Sequence, residues 1–386
     1  MVLAVSDRDR RALLWLCCAG ICWRWFVGVR APLPGVDACR DLWIAEQVAH
    51  GDWSALFDRF WEPVYALLLA PALAFGASPF AAAQVVACLL GGLVAVPVAL
   101  AAERIREGAG VSAAVVAMVA AGSVVAAGAG SAAAMFAMLF ACSLWAFAAR
   151  RLVVGVALLG LVLAGGLDQV AYEPQPIWDQ LRLGVGSAVL LLPLSLLPPR
   201  SRLMGVLVGA QLVLVGLAAS LDTWTSLLPI YSPIMAVLVG VGLARLRVRL
   251  RDVLLSVIVA IECHAAWTLG EPEAAVVERI LPQYLQRHAY TEDGVVFSNL
   301  PRVRWAAGQD PSAPGQDIRS AMDHDDVDSI IMTAEEAKDA SLRSLLAGKF
   351  ERAALPTAIA GLMLDRNLHV LRLCTMLFCY VLKRHM

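Results

Sequence analysis

From Arg8 onward the chain alternates long apolar runs with short polar clusters. The runs cover 12–29, 79–102, 111–128, 131–149, 152–167, 183–197, 203–220, 229–244 and 253–269. Stretches of this kind predict membrane-crossing helices, although several fall short of the ~20 residues an untilted span needs, which leaves their ends soft. One run stands outside the series. "PVYALLLAPALAF", 63–75, is too short to cross and suits a re-entrant or interfacial segment.

Charge placement orders the runs. Cytoplasmic loops are rich in Lys and Arg. With the N-terminus inside, the inner loops carry Arg8, Arg10 and Arg11, then Arg104 and Arg106, Arg150 and Arg151, Arg200 and Arg202, and "RLRVRLRD" at 245–252. The opposite loops hold 37–62, "GLDQVAYEPQPIWDQ", "SLDTWTS" and everything beyond Gly270. Counting 63–75 as a span would invert every later basic loop. Trp23, Trp25, Trp145, Trp178, Trp224 and Trp267 fall near the ends of runs, where interfacial belts are expected.

Composition agrees. Hydrophobic residues make up 60% of 386, and only 16% are charged; the mean hydropathy is +0.70. A water-soluble domain has no use for so much apolar side chain. The expected protein is therefore an α-helical polytopic membrane protein of about nine transmembrane helices, residues 1–269, in the bacterial inner (plasma) membrane. The first run reads as an uncleaved span, because no small-residue cleavage site follows it. Most of the nine cysteines lie inside apolar runs, and no CxxC occurs, so neither a zinc pattern nor a disulfide framework is expected. Nucleic acid is not an expected partner.

After Gly270 the pattern changes. Short β-like runs, "GVVFSN", "DSIIM" and "GLMLD…LHVLRL", alternate with helical patterns at 273–288 and 334–348. This predicts a small α/β domain over 270–373, on the outer, periplasmic face because the span count is odd, with 374–386 as a tail. "GQDPSAPGQ" reads as an exposed loop.

The chemistry concentrates in the first outer loop, 30–78. "GVDACRDLWIAEQVAHGDW" carries Asp37, Arg40, Asp41, Glu46 and Asp52. As a helix, it sets Asp37, Arg40 and Asp41 in one sector, with Ala38, Leu42, Ala45 and Ala49 on the other face. A carboxylate at the outer water–lipid boundary can deprotonate an acceptor hydroxyl. If the sugar leaves from a lipid phosphate, no general acid is required; positive charge beside the phosphate is, from Arg or a metal. Arg24, Arg40 and Glu62 are the candidate substrate-binding residues, and Asp37 and Asp41 the candidate catalytic ones. The bland alternatives are a solvated loop face for the acids and headgroup snorkelling or structural pairing for Arg24. Glu262 and His264 are spaced neither i,i+3 nor i,i+4, so they are not a metal pair on one face.

This order of features resembles the GT-C superfamily of polytopic glycosyltransferases, in its branch of protein O-mannosyltransferases and lipid A aminoarabinose transferases (glycosyltransferase family 39-like). The resemblance rests on "DACRDLWIAEQVAHGDW", "EPVYALLLAPALAFG", "SPFAAAQVVACLLGGLVAVPVALAAERI", "LLPIYSPIMAVLVGVGLARL", "DGVVFSNLPRVRWAAGQ" and "LMLDRNLHVLRL", covering about 12–105 and 225–373. It implies an inverting transfer from a polyprenyl-phosphate sugar to a lipid, glycan or protein acceptor, with a first-loop acid as base. No cofactor is required by it; a divalent metal is compatible with it. The family's leading motif is Asp-Glu-x-x-Tyr. Here Ala38 follows Asp37 and Asp41 stands in the Tyr place, so either Asp can be the counterpart, with Asp37 favoured by order. The middle of the chain is shorter than in typical members. A catalytically silent relative acting in assembly or binding, or a transporter, are the alternatives.

Overall fold

The computed structural model describes residues 7–30, 34, 36–56, 63–166, 228–269, 295–298, 301–309, 327–333, 339, 350–352 and 368–373. These are mostly helical. The chain divides into two compact units, one of residues 1–31 and 44–271, the other of 32–43 and 272–386.

The first unit is a helical bundle. Its elements are α1 (Asp7–Gly28), the second half of α2 (Val36–Ala49), α3 (Pro63–Ala74), α4 (Pro79–Leu93), α5 (Ala95–Ile105), α6 (Gly110–Val119), α7 (Ala121–Gly128), α8 (Ala133–Ala148), α9 (Leu152–Gly166), α10 (Leu228–Leu243) and α11 (Val248–Leu269). A helix or helix pair covers each described apolar run. The expected runs at 183–197 and 203–220 lie outside the described residues. α4 and α5 part at Val94 because Pro97 has no N–H for the carbonyl of Leu93.

α10 is the central element. Ile234, Met235, Ala236, Val237, Leu238 and Val239 are all buried, and α10 packs against α5, α6 and α8. α1 lies along α4, α6 and α7, and α9 lies on α8. Small residues let backbones meet. A Cβ on Gly28 would stand 2.8 Å from the Cα of Gly128, so neither glycine tolerates a side chain without separation of α1 from α7.

Apolar side chains lie on the surface as well as in the interior. Alanine fills much of the interior, whereas Val64, Leu67, Leu68 and Phe75 on and just after α3, Leu152, Val153, Val154 and Val156 on α9, and Val253, Val257 and Ile261 on α11 are exposed. The 27-residue stretch Pro79–Ile105 is long and apolar enough to cross a membrane, and α6 with α7, bent by 52°, passes the same test as one span. α3, α8, α9 and α10 are apolar but shorter.

The second unit contains a four-stranded sheet in the order β1-β2-β4-β3, with β1 (Val295–Ser298), β2 (Val327–Thr333), β3 (Phe350–Arg352) and β4 (Leu368–Leu373). β1 and β2 are parallel, with Phe297 opposite Ile330. β4 is antiparallel to both β2 and β3, with Ile330 opposite Leu371 and Glu351 opposite Arg372. A parallel pair needs a crossover, and the short helix α12 (Pro301–Ala306) lies in that connection. Phe297, Val303, Val327, Ile330 and Ile331 are buried. Three strands coincide with the expected β runs. β3 was not anticipated, since three residues are too few to show alternation. The helical patterns expected at 273–288 and 334–348, and most of "GQDPSAPGQ", lie outside the described residues apart from Asp339.

Candidate functional site

The acidic segment is helical, as its pattern predicts. α2 closes at Gly51 (φ +94°), where Gly51 N–H donates to Val48 O at 3.0 Å and Asp52 N–H to Gln47 O at 2.9 Å. This is a Schellman ending, which only glycine enters without strain. Asp52 then caps the following turn, its Oδ1 accepting from Ser54 N at 3.0 Å. The "GDW" element is therefore a helix stop followed by a cap.

Asp41 departs from the expected polar sector. Ala38, Leu42 and Ala45 are buried as foreseen, but Asp41 is buried with them, at 2% exposure, so the solvated-face alternative does not describe it. Arg40 is half-buried, and both Arg40 and Asp41 are engaged in polar or electrostatic contacts. Asp37 sits in the first turn of α2, and its side chain lies outside the described residues, as does all of Glu62. The division between the two units crosses α2, with residues up to Trp43 belonging to the second unit and those from Ile44 to the first. On the first-unit half, burial raises the Glu46 carboxyl above its ordinary value, an effect that nearby His50 partly opposes.

Arg24 is fully buried within the first unit. Its Nη2 donates to Ala117 O at 3.1 Å and reaches Ser123 Oγ at 3.4 Å; its Nη1 donates to Met118 O at 3.1 Å and Gly20 O at 3.2 Å. Ala117 and Met118 form the last turn of α6. In an unbroken helix Ala117 O would accept from Ala121 N–H. Here Ala121 N–H donates instead to Glu262 Oε2 of α11, at 2.9 Å. The helical hydrogen bond between Ala121 N–H and Ala117 O has thus been opened and each half given to a side chain from another helix. The signs suit the helix dipoles, with a cation at the C-terminal end of α6 and an acid at the N-terminal end of α7. No proline causes this break. Gly122–Ser123 makes the bend cheap, and the inserted side chains hold it.

The other ends of this pair are also served. Glu103 accepts from Gly108 N and Gly110 N, both at 2.9 Å, ahead of α6. Gln84 Nε2 donates to Gly28 O at 2.8 Å and Gly128 O at 2.9 Å, joining the C-terminal end of α1 to the end of α7. The chain turns beyond α7 at Gly130 (φ +72°), whose carbonyl accepts from the Tyr65 hydroxyl at 2.9 Å. Tyr65 Oη also lies 3.3 Å from Ala83 O. The short helix α3 is therefore fastened through one phenol while its opposite stripe faces outward.

Past the end of α1, Arg30 lies over Trp267, its guanidinium carbon 3.6 Å from the ring centroid, and Nη1 donates to Trp267 O at 3.0 Å. Trp267 stacks on Phe26, and Phe26 on Trp23, with centroid separations of 5.6 and 6.0 Å. Sequence reading passed over Arg30, Gln84 and Tyr65. A lone Gln in an otherwise apolar span was the available signal for Gln84, since such a group needs a polar partner. Glu262 is buried; His264 is exposed. Among the described residues no cluster of three or more His, Cys, Asp or Glu side chains is placed to hold a metal ion.

No protein-family model matches the chain, and no curated protein or solved structure matches it.

Proposed function

We propose that the protein is a polytopic membrane glycosyltransferase that moves a sugar from a polyprenyl-phosphate donor to an acceptor on the outer face of the membrane. In this reading about nine helices cross the bilayer, the N-terminus is cytoplasmic, and residues 270–373 form an outer α/β domain that recognises the acceptor. The observation that carries the reading is the pair of short helices between α1 and α4. α2 bears Asp37 and a buried Asp41. α3, at 12 residues, is too short to span but exposes an apolar stripe while its other face is fastened by Tyr65. In this reading a base on α2 stands at the lipid boundary, where a lipid-borne donor and a water-borne acceptor meet.

One aspartate is the base that takes the acceptor hydroxyl proton as the hydroxyl oxygen attacks the anomeric carbon. The bond to the lipid phosphate breaks, and the phosphate departs with the electron pair. Burial makes Asp41 suited to hold a partner charge, which leaves Asp37 as the favoured base. We assign Arg24 to holding α6 and not to the substrate, because its hydrogen bonds run to three backbone carbonyls and a serine within the bundle. The discontinuous pair α6–α7 invites comparison with transporters, whose half-helix ends bind ions. Here both ends at the break are served by the protein's own Arg24 and Glu262, which favours a scaffold over a transport path.

The test is sugar transfer from a radiolabelled polyprenyl-phosphate sugar by membranes carrying the wild-type, Asp37→Asn or Asp41→Asn chain, with insertion checked first. Loss of a general base lowers the rate by ~10²–10⁴-fold. Full transfer by both variants would sink the mechanism. No transfer by any chain from several such donors would favour the silent relative.

A further inference from the structure

The proposed reaction needs a cation beside the departing lipid phosphate, and of the two arginines at the outer end of α1, Arg24 is spent on the α6 carbonyls. We infer that Arg30, stacked on Trp267, binds the phosphate of the lipid donor, with the exposed apolar surface beside it taking the first part of the lipid chain. The inference rests on the glycosyltransferase reading and deepens it.

Three observations carry it. First, the guanidinium is fixed before any ligand arrives. The indole of Trp267 holds one face at 3.6 Å, and Nη1 is anchored to Trp267 O. Arg has five N–H donors in a planar fork, and the bond to Trp267 O leaves most of the fork for an anion. A stacked, pre-oriented Arg loses little entropy when it closes on a phosphate, and its fork matches two phosphate oxygens.

Second, the surroundings suit an amphiphile better than a free anion. Trp25, Phe26, Val29 and Trp267 are exposed, between 40% and 64%, around the same helix ends. A charged group set in such a patch recognises a ligand with a phosphate head and a hydrocarbon tail. Inorganic phosphate would use the cation alone and leave the apolar patch wet.

Third, the contact that steadies the guanidinium has its own electrostatic basis within the bundle. Arg30 serves a carbonyl in the last turn of α11, as a helix C-terminal cation does. That contact uses only Nη1, and it steadies the fork without occupying it.

The experiment is binding of a long-chain polyprenyl monophosphate to the purified full chain in detergent micelles, with the matching polyprenol, inorganic phosphate and phosphatidylglycerol as parallel probes. The variants are Arg30→Gln and Arg30→Lys, each checked for monodispersity and thermal stability. Wild type should bind the polyprenyl phosphate and prefer it to the other three probes. Arg30→Gln should weaken that binding about ten- to a hundredfold, as loss of a charge-assisted contact does. Arg30→Lys, which keeps the charge but loses the fork, should fall between. A folded Arg30→Gln chain that binds as wild type does would overturn the inference and leave the proposed function standing. Equal affinity of wild type for phosphatidylglycerol would overturn it too, by making the patch a general headgroup contact. Failure of wild type to bind any polyprenyl phosphate would remove the glycosyltransferase reading and this inference together.

Discussion

The opened hydrogen bond between α6 and α7 makes a quantitative prediction. In Arg24→Leu, Ala117 O and Met118 O lose their partners, while Glu262 keeps Ala121 N–H and holds the break open. Two buried carbonyls left unserved cost about 2–6 kcal/mol, at about 1–3 kcal/mol each. Glu262→Leu orphans one N–H, at about 1–3 kcal/mol, with Arg24 still in place. In the double variant nothing holds the break. Ala121 N–H can return to Ala117 O, and Gly122 N–H to Met118 O, in a segment whose alanines favour helix. Recovery is partial, because straightening α7 through 52° swings its far end by about 10 Å, from eight residues at about 1.5 Å rise each. That motion would break the Gln84–Gly128 hydrogen bond and the Gly28–Gly128 contact. The double variant should thus be less destabilised than the sum of the singles, by at least about 1 kcal/mol. The assay is a double-mutant cycle on reversible unfolding in mixed micelles. Effects that add to within about 0.5 kcal/mol would mean that the two side chains serve unrelated features, and the account of the break would be wrong.

Three further outcomes follow from particular contacts. Tyr65→Phe removes the hydroxyl that fastens α3 to Gly130 O and should cost about 0.5–1.5 kcal/mol, read as a lowered unfolding midpoint with α3 more open to protease. Gly128→Ala places a methyl against the α1 backbone and should cost about 1–3 kcal/mol in the same assay, whereas Gly160→Ala, where nothing lies within 4 Å, should be neutral or stabilising. Glu46 is more readily protonated folded than unfolded, so its contribution favours folding at low pH and is lost as pH rises from the ordinary carboxylate value through the raised one. Glu46→Gln should flatten that part of the stability–pH curve, and an unchanged slope would show that burial does not act on this carboxyl.

The sequence disclosed the helices because each apolar run is long and bounded by charge or by Pro and Gly, and α1, α4–α5, α8 and α11 stand where the pattern places them. It concealed the break at Ala120, since "VVAMVAAGSVV" carries no proline and reads as one helix. The cause lies in Arg24 and Glu262, 96 residues before and 142 residues after Ala120 in the chain. Asp41 was misplaced for a related reason. Helical periodicity puts it beside Arg40 in a polar sector, yet whether a sector is wet depends on what packs against it, and no local pattern records that. β3 was missed because three residues cannot display a period of two.

Arg24, Gln84 and Glu262 suggest how polar residues in an apolar chain can be sorted before chemistry is assigned to them. Each one completes a backbone hydrogen bond that the bundle leaves open: Arg24 at the end of α6, Glu262 at the start of α7, Gln84 at the ends of α1 and α7. Removing any of them should therefore damage the scaffold first and transfer only as a consequence. Arg30 differs in that its hydrogen bond to Trp267 O leaves most of a planar donor fork beyond it, next to exposed aromatic surface. Under the proposed function, charge in the bundle core serves architecture and Arg30, just past the end of α1, serves chemistry. On that argument Arg24 and Arg30, six residues apart, should separate cleanly. Arg24→Gln should lower stability and transfer in parallel, while Arg30→Gln should leave the unfolding midpoint nearly unchanged and raise KM for the lipid donor. A stable Arg24→Gln chain with the same KM defect would reverse the assignment.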